Sequence, residues 1–228
     1  MNGAIRRSLM PATRSSAALS ARSARNAARR WRIVARIAAE NSSPDHDGSV
    51  RNVIIPDDKN WTWVLERACP DCGFAAGTFD VANTGAAVRD LAARWTAVLD
   101  RADVSRRPNA TTWSPLEYGC HVRDVFRIFD RRLAMMIEEV DPQFENWDQD
   151  KTAIDDDYAG QQSSVVAGEL SGAAVRLADR FDSVQADQWQ RRGFRSDGSV
   201  FTVRTIAQYL LHDPVHHLWD VGAPVPKY

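Results

Sequence analysis

The sequence predicts an all-α protein, a four-helix bundle with a short β-hairpin before the last helix. Three observations carry that expectation. Four stretches between residues 83 and 221 repeat apolar residues at a helical period of about 3.6. A capping box opens the second stretch, and an Asp-Gly pair separates two short β-prone runs ahead of the fourth.

The first helix is expected from Asn83 or Thr84, either of which can cap it, through Val88, Leu91, Trp95, Val98 and Leu99. The second opens at Ser114-Pro115-Leu116-Glu117, with serine at N-cap, proline at N1 and glutamate at N3, and continues to about Glu139. The acidic stretch from Val140 to Gln162 reads as a solvated connection. Asp148-Gln149-Asp150 fails as a calcium loop, because Ala153 and Ala159 stand where the loop needs glycine and glutamate. A third helix is expected from about Ser164 to Val184, spaced by Val166, Leu170, Ala174, Leu177 and Phe181. Trp189 to Phe194 and Val200 to Val203 flank Ser196-Asp197-Gly198, which signals a two-stranded flap. The fourth helix runs from about Thr202 to Val221 and stops at Gly222 and Pro224. Pro214 lies inside it, so the helix either kinks there or breaks; apolar Leu210, Leu211, Val215 and Leu218 continue across the proline and favour the kink.

Composition divides the chain. Hydrophobic residues make up 44% of it, with eight tryptophans, which is ample for a core. Nine of the 29 basic residues precede Glu40, the first acidic residue, leaving 20 basic against 30 acidic in the remainder. The expected organisation is a disordered Arg/Ala/Ser-rich leader at 1–50, a CxxC-containing segment at 51–82 and a four-helix metal-binding domain at 83–228. A transit peptide, a basic arm, or translated sequence upstream of the true start would all give such a leader; it lacks the apolar run of an export signal. The acidic folded part argues against a nucleic-acid surface there, and no apolar run approaches the ~20 residues of a membrane helix. Three cysteines are too few for a disulfide framework, which points to a reducing, cytoplasmic setting. Cys69-Pro70-Asp71-Cys72-Gly73 resembles half of a zinc knuckle, but no second cysteine pair exists to complete it, so packing or a tight turn is its expected role.

The histidines carry the chemistry. His212 and His216, four apart, stack on one helix face, and His121 from the second helix would supply a third metal ligand. Each falls on or beside an apolar stripe: His121 with Tyr118, Val125, Ile128 and Phe129, the other two with Tyr209 and Trp219. Three neutral imidazoles would leave a fourth position open, as in catalytic zinc sites. Asp124 and Asp220 suit outer acceptors that hold ligand imidazoles in one tautomer. His217, one step round from His216, is expected outside the triad. Ordinary half-buried histidines are the competing reading.

Trp113 to His121 resembles the second-helix motif of the DinB-like superfamily, which includes the metal-binding domain of mycothiol-dependent maleylpyruvate isomerases. Leu211-His212-Asp213-Pro214-Val215-His216-His217 is similar to that family's last-helix motif, a ligand, three residues and a histidine, commonly doubled. In the isomerase branch the earlier of these ligands is typically glutamate, so His212 looks closer to the three-histidine branch. The resemblance spans about Asn83 to Val221. It implies a bundle with a divalent metal, zinc or nickel, on His121, His212 and His216, and a low-molecular-weight thiol as co-reactant. The implied function is a thiol-dependent transferase or isomerase acting on a small electrophile; a homodimer is among the expected partners. The competing class is a non-catalytic metal-binding stress or interaction protein. A polar cavity beside the metal ligands separates the two.

Overall fold

The computed structural model describes residues 60–228, so the leader of residues 1–50 and residues 51–59 lie outside the described residues. Five α-helices and one small sheet follow. Helix α1 (Thr84–Leu99) packs along α4 (Ser163–Asp182), and α2 (Pro115–Glu138) packs along another side of α4. Helix α5 (Val203–Asp220) crosses both α1 and α2 and completes the four-helix bundle. The fifth helix, α3 (Gln149–Asp155), is a short element between α2 and α4. Leu91, Trp95, Leu133, Leu170, Leu177 and Leu210 fill the core, and full burial of each such side chain contributes about 1.5–3 kcal/mol.

Local chemistry sets the helix starts. Ser114 and Glu117 exchange hydrogen bonds as a capping box, Glu117 N–H to Ser114 Oγ at 3.3 Å and Ser114 N–H to Glu117 Oε2 at 2.8 Å. Thr202 caps α5 in the same way. At α1 the expected side-chain cap is replaced by a 3-10 turn, Val81–Asn83, that runs straight into the helix, with Thr84 Oγ1 donating to the Val81 carbonyl at 2.7 Å. Helix α5 passes through Pro214 unbroken.

The expected hairpin is present and is joined by a third strand. Strands β2 (Arg192–Arg195) and β3 (Val200–Thr202) pair antiparallel around Gly198, whose φ is +90°. Strand β1 (Gln143–Phe144) adds to β2 in parallel, pairing Gln143 with Phe194. The expectation of a solvated connection over residues 140–162 is thereby corrected. Phe144 is buried against Gly193, where a Cβ would lie 2.7 Å from the Phe144 ring and 2.8 Å from Met136. Tyr158 is also buried, and its hydroxyl donates to Asp124 at 2.7 Å. These aromatics need cover, and the connection folds back on α2 to supply it.

Between residues 60 and 82 three 3-10 turns place Val64, Ala76 and Val81 in the core. Gln208 of α5 ties this segment down, its amide donating to the carbonyls of Gly77 at 3.1 Å and Phe79 at 3.2 Å. Among the described residues no helix is long and apolar enough to cross a membrane.

Candidate metal centre

Six consecutive residues of α5, from His212 to His217, supply two sets of donors. Residues four apart share a face, and consecutive residues are rotated by about 100°. His212 and His216 therefore point one way and Asp213 and His217 another. Helix α2 meets the second face, and the knuckle at Cys69 meets the first.

On the second face, donor atoms of His121, Asp213 and His217 lie within 4.8 Å of one another. His121 Nε2 is 3.2 Å from Asp213 Oδ1, and His217 Nε2 is 3.7 Å from the same oxygen. Burial would raise the Asp213 carboxyl, but His121 and His217 outweigh it and hold the group far below the usual carboxylate range. Asp220 Oδ2, 2.7 Å from His217 Nδ1, orients that ring with Nε2 toward the group. Trp147 stacks on His121, with ring centroids 5.1 Å apart and planes 6° apart, and Trp113 covers another side at 5.6 Å. His121 Nδ1 is buried without a hydrogen-bond partner among the described residues.

On the first face, Cys69, Cys72, His212 and His216 bring one donor atom each within 4.8 Å of one another. Cys69 Sγ is 3.5 Å from His216 Nδ1. Burial, followed by the proximity of His216, lowers His212 to about 4, and burial lowers His216 too, so both rings are neutral and able to ligate. Burial pushes the Cys72 thiol up to about 12. His212 Nε2 is buried and without a hydrogen-bond partner among the described residues. Trp61 covers both imidazoles, with centroids 5.5 Å from His212 and 5.3 Å from His216.

The expected set of His121, His212 and His216 is thus divided. His212 and His216 come together as the spacing requires, while His121 joins His217, expected outside the triad, and Asp213, to which no ligand role had been given. The cysteine half-site, read as packing, has its second pair in the two histidines. Asp220 reaches His217 at 2.7 Å and only approaches His216 at 3.9 Å. Asp124 does not serve His121; it accepts from Arg123, Arg127 and Tyr158. Two signals were available: Asp213 and His217 are also four apart, and a Cys-x-x-Cys pair without a cysteine partner asks for histidines.

Asp213 borders a cavity of about 500 Å³ whose walls include Trp61, Trp147, Tyr209, Arg132 and Arg195, with Asp148 and Asp150 at one side. Arg195 is ion-paired with Asp197 at 2.8 Å. Arg132 has no carboxylate at ion-pair distance among the described residues; it donates to the Glu145 carbonyl at 2.8 Å and lies over the Phe129 and Phe144 rings. Burial, then the nearby Arg195, lowers it to about 10, so it stays charged at neutral pH. Arg123 is committed to Asp124 and Glu169, and Arg204 is exposed, so neither of these arginines serves the cavity.

The donors in both groups fit a divalent ion by type, by convergence and by the two orphaned buried nitrogens. No curated protein matches this sequence. Among solved structures, the chain is similar to YfiT from Bacillus subtilis, described as a probable metal-dependent hydrolase with an unusual four-helix bundle topology. The two share 14% identity with a TM-score of 0.56, over 63% of this chain and 89% of that one, a likeness of fold. The sequence profile of the DinB superfamily matches residues 84–221, from the start of α1 to the end of α5. The chain belongs to the DinB superfamily.

Proposed function

We propose that this protein is a metal-dependent enzyme in which His121, Asp213 and His217 hold a divalent ion, zinc or nickel, beside a cavity that receives a small anionic electrophile. The observation that carries the reading is a group of three protein donors, short of a full set, one of which borders a 500 Å³ cavity. A carboxylate followed four residues later by histidine, here Asp213 and His217, also agrees with the ligand pattern of the isomerase branch, in which the earlier ligand is typically glutamate. A divalent ion in such a group supplies Lewis-acid polarisation and lowers the pKa of a bound thiol or water.

The chain's own residues supply the rest. Asp220 fixes the His217 ring, and Trp147 and Trp113 fix His121 and keep bulk water from it. Arg132, a buried cation without a carboxylate at ion-pair distance among the described residues, binds the anionic end of the substrate. Tyr209 and Trp61 form apolar walls for its body. The nucleophile is a low-molecular-weight thiol of the mycothiol kind, which makes the protein a transferase or isomerase. The reading with water as nucleophile draws on the hydrolase description of YfiT. A non-catalytic binding role is disfavoured by the polar cavity beside the ligands. The substrate partner is a small molecule, the expected compartment is the cytoplasm, and this reading gives the folded domain no nucleic-acid or membrane partner.

The test is a panel of electrophilic carboxylates given to zinc-loaded or nickel-loaded full-length protein, with thiols or with water alone. Turnover should depend on metal and fall at least 100-fold in His121→Ala, Asp213→Ala and His217→Ala. Arg132→Met should raise KM for carboxylate substrates about tenfold or more while leaving neutral substrates unaffected. Turnover that survives all three ligand replacements would overturn the assignment.

A further inference from the structure

We propose that Cys69, Cys72, His212 and His216 form a second metal centre, a closed four-ligand zinc site that fastens the N-terminal knuckle to α5. It is separate from the three-donor group in ligands and in role. Two thiolates and two imidazoles complete a tetrahedral zinc shell, whereas a reacting site keeps one position for water or substrate.

The distances agree with such a shell. Zinc bonds of ~2.3 Å to sulfur and ~2.0–2.1 Å to nitrogen give a regular tetrahedron edges of about 3.3–3.8 Å, with sulfur to nitrogen near 3.6 Å. Cys69 Sγ and His216 Nδ1 are 3.5 Å apart, and all four donor atoms lie within 4.8 Å of one another.

The backbone before the helix is shaped for two thiols to converge. Gly73 N–H donates to the Cys69 carbonyl at 2.9 Å, and Cys69 N–H donates to the Phe74 carbonyl at 3.0 Å, closing a tight loop. Gly73 has φ +74°, a conformation that a residue with a Cβ adopts only at a cost. This loop turns both cysteines toward α5.

An independent observation points to a ligand. His212 is 4% exposed, and its buried Nε2 has no hydrogen-bond partner among the described residues. A buried polar nitrogen left this way costs about 1–3 kcal/mol. Trp61 packs beside both imidazoles, its ring tilted against His212 and edge-on to His216. The consequence is structural: the site joins parts of the chain 147 residues apart, so an ion there would hold residues 60–82 on the bundle.

The experiment loads full-length protein with zinc or cobalt and adds no external thiol. The wild type should hold about two ions per chain, and Cys72→Ser and His121→Ala about one each. Cobalt-loaded wild type and His121→Ala should both show a sulfur-to-cobalt charge-transfer band, absent in Cys69→Ser and in Cys72→Ser. In zinc-loaded His121→Ala, X-ray absorption should find two sulfur and two nitrogen neighbours, at ~2.3 Å and ~2.0 Å. A chelator should expose both thiols of the wild type to alkylation, which zinc restores to protection. A zinc shell without sulfur in the folded wild type, or cysteines equally reactive with and without zinc, overturns the proposal. Because the His121→Ala chain keeps this site while losing the other, its failure is distinguishable from failure of the enzymatic reading.

Discussion

The His217 imidazole is held through Nδ1 by Asp220 Oδ2, 2.7 Å away and three residues further along the same helix. The bond commits Nε2 to the side where His121 and Asp213 converge. Asp220→Asn keeps the shape and removes the charge, so the affinity of the three-donor group for zinc should fall about 10–100-fold. Competition with a chromophoric chelator measures it, with the second site filled beforehand. Affinity unchanged within twofold would show that Asp220 does not set the ring.

Trp95 donates its indole N–H to the carbonyl of Pro214 at 3.1 Å, and both side chains are buried. Trp95→Phe removes the donor and part of the ring. We expect a loss of about 1–3 kcal/mol in urea unfolding from the hydrogen bond, with packing loss in addition. A variant as stable as the wild type would mean that the bond is replaced at no cost.

Acid should weaken the start of α2. Burial would raise Glu117, but Arg107 and the Ser114 groups outweigh it and hold its carboxyl below the usual range. Its folded pKa is thus below the unfolded value of about 4.3. The ionised form therefore stabilises the native state fully above that pH, and the contribution is lost as pH falls through the folded value. Urea midpoints at pH 7 and pH 3 should converge between wild type and Glu117→Gln. An equal gap at both values would refute this assignment.

Gly73→Ala tests the knuckle by backbone alone. Apart from its two chain neighbours, no described residue comes within 4 Å of the added Cβ, so the penalty comes from φ +74° and should be about 1–2 kcal/mol. The alkylation rate of Cys69 and Cys72 in zinc-loaded protein should rise with it. Unchanged stability and protection would show that the loop tolerates the strain.

Legibility of the sequence followed distance along the chain. Ser114 and Glu117, three apart, announced α2, and Asp197-Gly198 announced the hairpin, because each signal is complete within a few residues. Strand β1 was hidden, since its partner Phe194 lies 51 residues beyond Gln143 and only two residues pair. The ligand pairs on α5 were visible as fours, but the sequence cannot say which face of a helix meets which neighbour. His121 found Asp213 and His217 instead of His212 and His216 by one step of helical rotation. Cys69 and Cys72 looked solitary because their complement stands more than 130 residues away.

Pro214 has no N–H to give to the carbonyl of Leu210, so α5 is intrinsically weakest at that turn. The proline falls between His212 and Asp213 on one side and His216 and His217 on the other. A rupture of the helix at this one peptide would part both ligand pairs at the same moment, leaving half of each on either fragment. Trp95 of α1 grips the carbonyl at that joint. The two donor groups therefore share a single point of failure, and Trp95, a member of neither, guards it.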